Sequence, residues 1–418
     1  MRARLALLSI ALLAAAGGAM AAEALPRPGD RFEIRAFGLP EPGAGTASNS
    51  PRRIPLGPEV APEVPDGFRV NRFAEGLTNA RWMTVAPGGE VFLAEPDAGH
   101  VLLLIDRNQD GAAEERHVLT GGFDRPHGLA LRDGWLYVAD VRGVWRLEWK
   151  PGQTAAKVAP EMITPPGAFG GTGGHWTRNI AFSPDGTALF AAIGSAANIA
   201  EEKAPRATVM RFDMEAETGF AIGGRVYASG LRNPVGIAFH PDTGALYVTV
   251  NERDGMGDEL VPDYLTALKD GGFYGWPYAY IGGNPQPGLA EMRPKLVKAS
   301  IVPDLLFRSH SAPLGLVFAR GLDVPEDWKD DAFVALHGSW NANQPRGYMV
   351  VRVPFAGGWP QGGYEAFATG FRSGTYQRLL SDAAEVWGRP AGLAAAADGS
   401  LLIADDVANV IWRVSRVR

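Results

Sequence analysis

The chain has 418 residues, of which 53 are glycine, 32 are proline and 46% are hydrophobic, and its formal net charge is -6 at pH 7. This composition is typical of one large all-β domain rich in tight turns, and the acidic balance without a basic run excludes nucleic acid as a partner. No cysteine is present, which excludes covalent haem and thiolate-bound zinc; any redox centre would be a non-covalent organic cofactor or a metal held by oxygen and nitrogen.

The first residues have the features of an export signal. Two arginines precede an apolar run over residues 5–16, and Ala19 and Ala21 place small side chains where a signal peptidase cleaves. The run is shorter than the ~20 apolar residues that span a bilayer. We therefore predict a signal peptide over residues 1–21, a periplasmic protein and no membrane span.

A segment rich in proline, glycine and serine follows the signal. Such a composition buries little surface, so residues 22–66 are predicted to be an N-terminal extension, either an ordered strap or a loose arm. The main domain is predicted over residues 67–418, because no later change in composition marks a second domain.

One short phrase recurs six times along this domain. Each copy has a polar or basic residue, often a proline, then a glycine beside hydrophobic residues, a turn and a second hydrophobic strand. The three clearest copies begin at Arg125, Asn233 and Arg389, and the weaker ones near Arg81, Arg178 and Pro313. Such recurrence predicts a six-bladed β-propeller with four-stranded antiparallel blades. Loops inserted at 251–309, 340–347 and 356–388 are the places to expect functional residues.

A glycine-rich loop over residues 171–174 leads into His175 at the start of a strand. A neutral imidazole delivered in this way is a candidate general base. His127, His310 and His337 also lie at strand starts or ends, so the residue types alone do not choose among them.

The most acidic stretch of the chain covers residues 251–259, with four carboxylates and two glycines. Carboxylate and carbonyl oxygens on a flexible backbone suit Ca²⁺, although a solvated acidic loop would have the same composition. The aromatic segment at 271–277 is embedded in glycine and proline, which favours a shaped cavity wall.

Arg232, Asn233 and Arg389 open their repeat copies at equivalent positions. In a propeller these positions surround the mouth of the central channel, where several arginines suit a polyanionic small molecule. The alternative is that these residues only form turns and pair with a neighbouring blade.

Several of these motifs resemble the soluble dehydrogenases of glucose and other aldose sugars that depend on pyrroloquinoline quinone (PQQ). They are Gly-Leu-Arg-Asn-Pro at 230–234, the stretch from Asp258-Glu259 to Gly-Gly-Phe-Tyr-Gly-Trp-Pro at 271–277, and the His175 loop. His-Ser-Ala-Pro-Leu-Gly at 310–315 and His-Gly-Ser-Trp-Asn at 337–341 are similar to the sorbosone dehydrogenase branch. The resemblance covers nearly all of the chain after about residue 65.

The resemblance implies PQQ across the mouth of a six-bladed propeller, with Ca²⁺, and oxidation of a sugar or sugar aldehyde by hydride transfer to the quinone. His175 matches the family's base. Arg232 and Asn233 match the pair at the quinone oxygens, and Arg389 matches a cationic ligand of a PQQ carboxylate. An external acceptor, such as a cytochrome or a quinone, would then take the electrons.

The resemblance also implies metal ligands in the acidic stretch. Backbone carbonyls around Arg253 and Asp254 match those that hold Ca²⁺ near PQQ, and Glu259 and Tyr274, with Asp258 beside them, match a second Ca²⁺ site.

Two positions depart from the family pattern. The glucose enzymes have an Asp that orients the catalytic histidine, and here Ser195 follows Ile-Gly at that place. Their PQQ-contacting Lys has no clear counterpart; the segment from His337 to Trp340 stands there, and His337 or Arg346 is the candidate replacement for its charge.

Two other functions remain open from sequence. A calcium-dependent lactonase is also a six-bladed propeller, with Glu, Asn and Asp on one axial metal, and a non-catalytic binding propeller would need only the repeats. The arginines at the repeat starts and the His175 loop favour the dehydrogenase. The sequence indicates neither the particular sugar nor the oligomeric state.

Overall fold

The computed structural model describes residues 24–43, 45, 47–377 and 382–417; the predicted signal peptide lies outside them. The described chain is nearly all-β, which confirms the predicted class. Its one α-helix is Pro294–Ala299, and 3-10 turns cover Ala290–Met292, Ala319–Gly321 and Glu326–Trp328. No helix among the described residues has the length and hydrophobicity needed to cross a membrane.

Six sheets of four or five strands follow one another along the chain. Sheet 1 consists of Trp82–Val85, Val91–Glu95, His100–Ile105 and Glu115–Gly121. Sheet 2 consists of Leu129–Arg132, Trp135–Ala139, Val144–Glu148 and Glu161–Met162. Sheet 3 consists of Arg178–Phe182, Ala188–Ile193, Thr208–Met214, Ala221–Ser229 and Gly272–Phe273.

The second half of the chain repeats this arrangement. Sheet 4 consists of Asn233–Phe239, Leu246–Asn251, Tyr264–Ala267 and Leu305–Leu306. Sheet 5 consists of Pro313–Phe318, Ala332–Leu336, Met349–Val353, Tyr364–Ala368 and Arg31–Phe32. Sheet 6 consists of Pro390–Ala395, Leu401–Asp405, Val410–Arg416 and Phe68–Glu75.

Three smaller sheets lie outside these six. One joins Arg372–Gln377, Asp382–Val386 and Arg52–Arg53; the others are the hairpins of Ala279–Tyr280 with Asn284–Pro285 and of Phe355–Ala356 with Trp359–Pro360.

The second strands of the larger sheets are the most buried. Every residue is buried in Val91–Glu95, Ala188–Ile193, Ala332–Leu336 and Leu401–Asp405. These strands are continuous hydrophobic runs rather than alternating ones, because both faces of each sheet are covered.

The first strands of the six sheets contact one another in cyclic order. The glycine of the repeated phrase makes this approach possible. A Cβ atom at Gly128 would lie 2.7 Å from the carbonyl oxygen of Arg178, and one at Gly392 would lie 2.5 Å from that of Arg81. The phrase therefore recurs because each first strand needs one residue without a side chain against its neighbour.

The two ends of the main domain meet in sheet 6. Phe68–Glu75 comes before sheet 1, yet it pairs antiparallel with Val410–Arg416 at the end of the chain. This pairing closes the ring of sheets.

The described part of the N-terminal extension is ordered against the sheets. Arg31–Phe32 forms the fifth strand of sheet 5, and Arg52–Arg53 pairs in parallel with part of Asp382–Val386. Between them, the Asn49 side chain donates to the carbonyl of Ala342 over 2.7 Å.

The insertion at 251–309 connects two sheets. It begins after a strand of sheet 4, and its Gly272–Phe273 pairs in parallel with Ala221–Ser229 at the edge of sheet 3. Farther along, the indole Nε1 of Trp276 donates to the carbonyl oxygen of Asn198 over 3.1 Å. The insertion therefore supports the loop that follows Ala188–Ile193.

Candidate functional site

A cavity of about 410 Å³ opens where the first strands of several sheets begin. This volume is in the range of small-molecule sites. Seven of the twelve residues that sequence reasoning assigned to the site line it: His175, Arg232, Asn233, Asp254, His337, Trp340 and Arg389. Arg253, Asp258, Glu259, Tyr274 and Arg346 are not among the lining residues.

His175 is held through its Nδ1 atom. This atom lies 3.0 Å from both the carbonyl oxygen and the hydroxyl oxygen of Ser195. The Ser195 hydroxyl itself donates to the carbonyl of Ala197 over 2.6 Å, so both Ser195 oxygens act as acceptors towards the ring. Nδ1 therefore carries the proton and Nε2 carries the lone pair. No described residue bonds to Nε2.

The surroundings of His175 keep it neutral. Burial and the nearby Arg232 guanidinium lower its pKa from 6.5 to about 4, while the hydrogen bond with Ser195 works in the other direction. An imidazole with this pKa is unprotonated at neutral pH and can accept a proton.

Arg389 is a buried cation held by backbone carbonyl groups. Its Nε donates to the carbonyl of His337 over 2.8 Å, and its Nη2 donates to the carbonyl of Gly338. Among the described residues it makes no ion pair, and burial lowers its pKa. A buried guanidinium without a carboxylate favours an anionic ligand.

Arg232 is fully engaged by the protein. Its Nη1 donates to the carbonyl of Glu252 over 2.7 Å, and its Nη2 lies 3.2 Å from a carboxylate oxygen of Asp254. Its Nε and Nη2 also donate to Asn198 over 3.1 and 2.9 Å. Arg232 thus contributes a fixed positive charge to the cavity wall, with its donors already in use.

A third arginine belongs to a buried network beside His337. The Nε2 atom of His337 lies 2.8 Å from Asp406, and Arg81 forms an ion pair with the same carboxylate. Burial and Arg389 lower the pKa of His337 to about 4. The pKa of Asp406 lies below its usual range, because His337, Arg81 and Arg389 favour the carboxylate although burial opposes its ionisation. Asp406 therefore stays ionised.

The other histidines are differently placed. His310 lines the cavity with Nε2 3.0 Å from the carbonyl of Gly257 and Nδ1 3.8 Å from Asp254. His127 is fully buried and packs against Trp82 and Trp176. His175 combines a fixed Nδ1–H with a free Nε2 at the cavity, which distinguishes it from His310 and His127.

The structure divides the acidic stretch into two halves. Asp254 faces the cavity, while Asp258 accepts a hydrogen bond from the backbone of Asn343 and Glu259 forms an ion pair with Arg346. Gly255 and Gly257 have φ angles of 92° and 99°, a region that side chains other than glycine rarely adopt. These turns separate residues that are neighbours in sequence.

Several of the residues predicted to hold two Ca²⁺ ions already have partners within the protein. The carbonyl oxygen of Asp254 accepts from the Asn198 amide and from the Arg253 side chain. The hydroxyl of Tyr274 donates to the carbonyl of Ala267 and accepts from the backbone N–H of Lys269. In the described part of the chain, the group of acidic side chains with ligand atoms within 4.8 Å of one another is Asp106, Asp110 and Glu114, which does not line the cavity.

Buried carboxyl groups at the cavity were missed from sequence. Glu252 is 4% exposed and one of its carboxylate oxygens has no hydrogen-bond partner. Burial raises its pKa to about 7, and burial raises that of Asp263 to about 6. Arg81 was also missed, although it begins a repeat copy at the position equivalent to Arg389.

The donors and charges present fit an anionic, hydrogen-bonding cofactor of PQQ's kind. Arg389 lacks a carboxylate partner, and buried polar atoms without partners line the same cavity: Arg81 Nε, Asn233 Oδ1 and Glu252 Oε1. Such atoms are satisfied when a ligand or water supplies the missing hydrogen bonds.

Comparison with known proteins supports the resemblance. The family model described as TrAA12-like matches residues 62–262 and 296–417. A PQQ-dependent pyranose dehydrogenase from Coprinopsis cinerea is 28% identical over 347 residues, which cover 71% of this chain and 45% of that protein. The chain therefore spans less than half the length of this relative.

Solved structures show the same fold. The holo form of the pyranose dehydrogenase PQQ domain from Coprinopsis cinerea aligns with a TM-score of 0.66 and 22% identity, covering 88% of this chain and 99% of that one. The calcium structure of a Trichoderma reesei enzyme of carbohydrate-active family AA12 aligns with a TM-score of 0.70 and 20% identity, covering 85% and 97%.

Proposed function

The chain belongs to the TrAA12-like family, and from this membership we propose that it is a PQQ-dependent dehydrogenase that oxidises a sugar or sugar aldehyde. The sorbosone-type motifs at 310–315 and 337–341 favour a sugar aldehyde or an aldose. The observation that carries the proposal is a cavity lined both by the Arg389 guanidinium, which makes no ion pair with a described residue, and by a neutral His175 whose Nε2 has no described partner.

We infer that the ring of six sheets is a six-bladed β-propeller over residues 67–418. The described part of the extension predicted at 22–66 lies against it, and residues 1–21 direct export to the periplasm. The cyclic contacts of the first strands and the closure between Phe68–Glu75 and Val410–Arg416 support the propeller.

In the proposed reaction His175 is the general base. Its Nε2 accepts the proton of the reacting hydroxyl, and the positive charge that develops on the ring is stabilised by the Nδ1–H bond to Ser195. PQQ, when bound, supplies an acceptor for the hydride that leaves the same carbon. Loss of the hydroxyl proton to His175, together with loss of a hydride from the carbon that bears this hydroxyl, would form a carbonyl.

The cations of the cavity hold and polarise the cofactor. Arg389 would pair with a PQQ carboxylate, and His337 and Trp340 would line its edge. Arg232 and Asn233 would face the quinone oxygens, where a fixed positive charge stabilises negative charge in the transition state. Trp340 is 49% exposed, which leaves part of its ring open at the cavity mouth.

We also propose Ca²⁺ as a second cofactor, supported by the calcium structure of the Trichoderma reesei relative. Arg253, Asp254, Asp258, Glu259 and Tyr274 are the ligands that the family resemblance suggests. Because the carbonyl of Asp254 is already engaged by Asn198 and Arg253, we assign the polarising charge at the quinone to Arg232. The electrons then leave to an external acceptor, such as a cytochrome or a quinone.

Reconstitution tests this function. Purified apoprotein is mixed with PQQ, with Ca²⁺ or with a chelator, and binding is followed by the visible spectrum of the cofactor. Dye reduction is then measured across a panel of aldoses and sugar aldehydes. We expect a changed spectrum and turnover with at least one sugar class; an unchanged spectrum with and without Ca²⁺ would refute the proposal.

A further inference from the structure

Asn198 joins the two charged groups beside the candidate base. Its side-chain Oδ1 accepts from Arg232 Nη2 over 2.9 Å and from the backbone N–H of Asp254 over 2.9 Å, and its Nδ2 donates to the carbonyl of Asp254 over 3.0 Å. Its own carbonyl accepts from Arg232 Nε over 3.1 Å. One residue thus makes four hydrogen bonds, two with Arg232 and two with Asp254, to a pair that faces the cavity.

The short segment from Ser195 to Asn198 touches both functional groups. At one end Ser195 bonds to the ring of His175, and its backbone N–H donates to the carbonyl of Arg232 over 2.7 Å. At the other end Asn198 holds the guanidinium of Arg232. A displacement of this segment would therefore move the base and the arginine together.

Two further contacts fix the segment. The carboxylate of Glu202 accepts from the backbone N–H groups of Ala196 and Ala197 over 2.7 to 2.9 Å. The indole of Trp276 donates to the carbonyl of Asn198 over 3.1 Å. Because Asn198 itself is exposed, hydrogen bonds rather than packing in the core fix its position.

We propose that Asn198 is a positioning residue that fixes the guanidinium of Arg232 beside Asp254 at the cavity. Burial is the main reason that His175 stays neutral; Arg232 and Arg206 act in the same direction, and the Asp254 carboxylate opposes them. The inference rests on the proposed function for its catalytic meaning, but its physical content concerns the apoprotein.

The test measures the protonated fraction of His175 by NMR of apoprotein labelled with ¹⁵N-histidine, at a pH near 5 where circular dichroism shows the fold intact. His175→Ala assigns the signal among the seven histidines. In Asn198→Ala we expect a larger protonated fraction than in the parent protein, because Arg232 loses its bond to Oδ1 and is held less tightly, although its bonds to the carbonyls of Asn198 and Glu252 remain. Asn284→Ala, which loses only a bond to the carbonyl of Ile281, is the matched control and should leave the signal unchanged.

A double-mutant cycle separates positioning from a general structural effect. In the Arg232→Gln background the charge is absent, so adding Asn198→Ala should produce no further rise in protonation. Equal rises in both backgrounds, or no rise in either, would overturn the proposal. Asn198→Ser provides a second variant if the alanine protein folds poorly, because serine is too short to bridge Arg232 and Asp254.

No step of this test requires PQQ. If PQQ does not bind but the mutant cycle gives the expected result, the dehydrogenase function is refuted and the positioning role of Asn198 stands. If PQQ binds but the cycle does not give the expected result, the dehydrogenase function stands and the role of Asn198 is refuted. In reconstituted enzyme, Asn198→Ala should lower kcat about tenfold or more with a smaller change in KM, as expected when a transition-state charge is displaced.

Discussion

The Nδ1 atom of His175 lies 3.0 Å from both oxygens of Ser195, the residue that stands where the family resemblance implies an orienting Asp. A serine supplies acceptors but no charge. The ring is therefore oriented and its tautomer fixed, while the imidazolium form gains less than it would beside an aspartate.

Ser195→Asp should raise the pKa of His175 above its value of about 4. The added carboxylate stabilises the protonated ring, so the acid limb of the kcat–pH profile should move to higher pH. Ser195→Ala keeps the backbone carbonyl acceptor and should leave that limb near its original position. If the acid limb moved as far in Ser195→Ala as in Ser195→Asp, the backbone carbonyl contact would not be what controls the tautomer.

His175→Ala should keep PQQ binding and lower turnover by roughly two to four orders of magnitude, as expected for loss of a general base. His337→Ala is the comparison variant, because its Nε2 is held by Asp406 at the cavity edge. We expect that variant to weaken PQQ binding more than it lowers kcat. PQQ binding is measured by titration and kcat by dye reduction. If His175→Ala mainly weakened PQQ binding and His337→Ala mainly lowered kcat, His337 rather than His175 would be the base.

Arg389→Gln should weaken PQQ binding by roughly one to two orders of magnitude, in line with about 1.5–3 kcal/mol for a hydrogen bond to a charged group. The guanidinium has no carboxylate partner in the described structure, so its removal leaves no unpaired anion behind. Arg35→Gln is the control, since Arg35 is exposed and lies outside the cavity lining. Equal losses in both variants would point to a general electrostatic effect.

The strands that form the ring could be predicted from the sequence better than the residues of the site. The repeated glycine stands out in the sequence because each first strand needs the same close approach to its neighbour, as Gly128 and Gly392 show. The two-residue edge strands, such as Gly272–Phe273, were not visible, because two residues cannot show an alternating pattern.

The site was predictable where a residue occupies a repeat position, as Arg232 and Arg389 do; Arg81 could have been found by the same comparison. Asn198 gave no such signal, since its contacts reach residues 34 and 56 positions away. The acidic stretch separates into two parts because Gly255 and Gly257 turn Asp258 away from Asp254, and its composition gives no sign of these turns.

Glu252→Gln should remove a pH dependence of stability. Burial raises the folded-state pKa of Glu252 to about 7, above its ordinary value of about 4.3, so the folded protein binds the proton more tightly. Its contribution to stability is thus present at low pH and lost as pH rises through about 7. The free energy of unfolding of the variant, relative to that of the parent, should rise by up to about 3 kcal/mol between pH 4.5 and pH 8, measured by urea unfolding. A constant difference across this range would contradict the shift.

Gly392→Ala should destabilise the fold by about 1–3 kcal/mol, the usual cost of overpacking. The new Cβ would lie 2.5 Å from the carbonyl of Arg81, a backbone atom that cannot move aside easily. Gly374→Ala is the control, because a Cβ there meets no atom within 4 Å. Similar urea midpoints for the two variants would show that the first strands tolerate wider spacing.

The pairing of Phe68–Glu75 with Val410–Arg416 has a consequence for synthesis of the protein. The first of these strands emerges from the ribosome more than 300 residues before its partner, so sheet 6 cannot be completed until that partner has been synthesised. Until then, the edge of an unpaired strand stays open to other chains. A chain truncated before Val410 would leave that edge open permanently, and we expect such a product to aggregate.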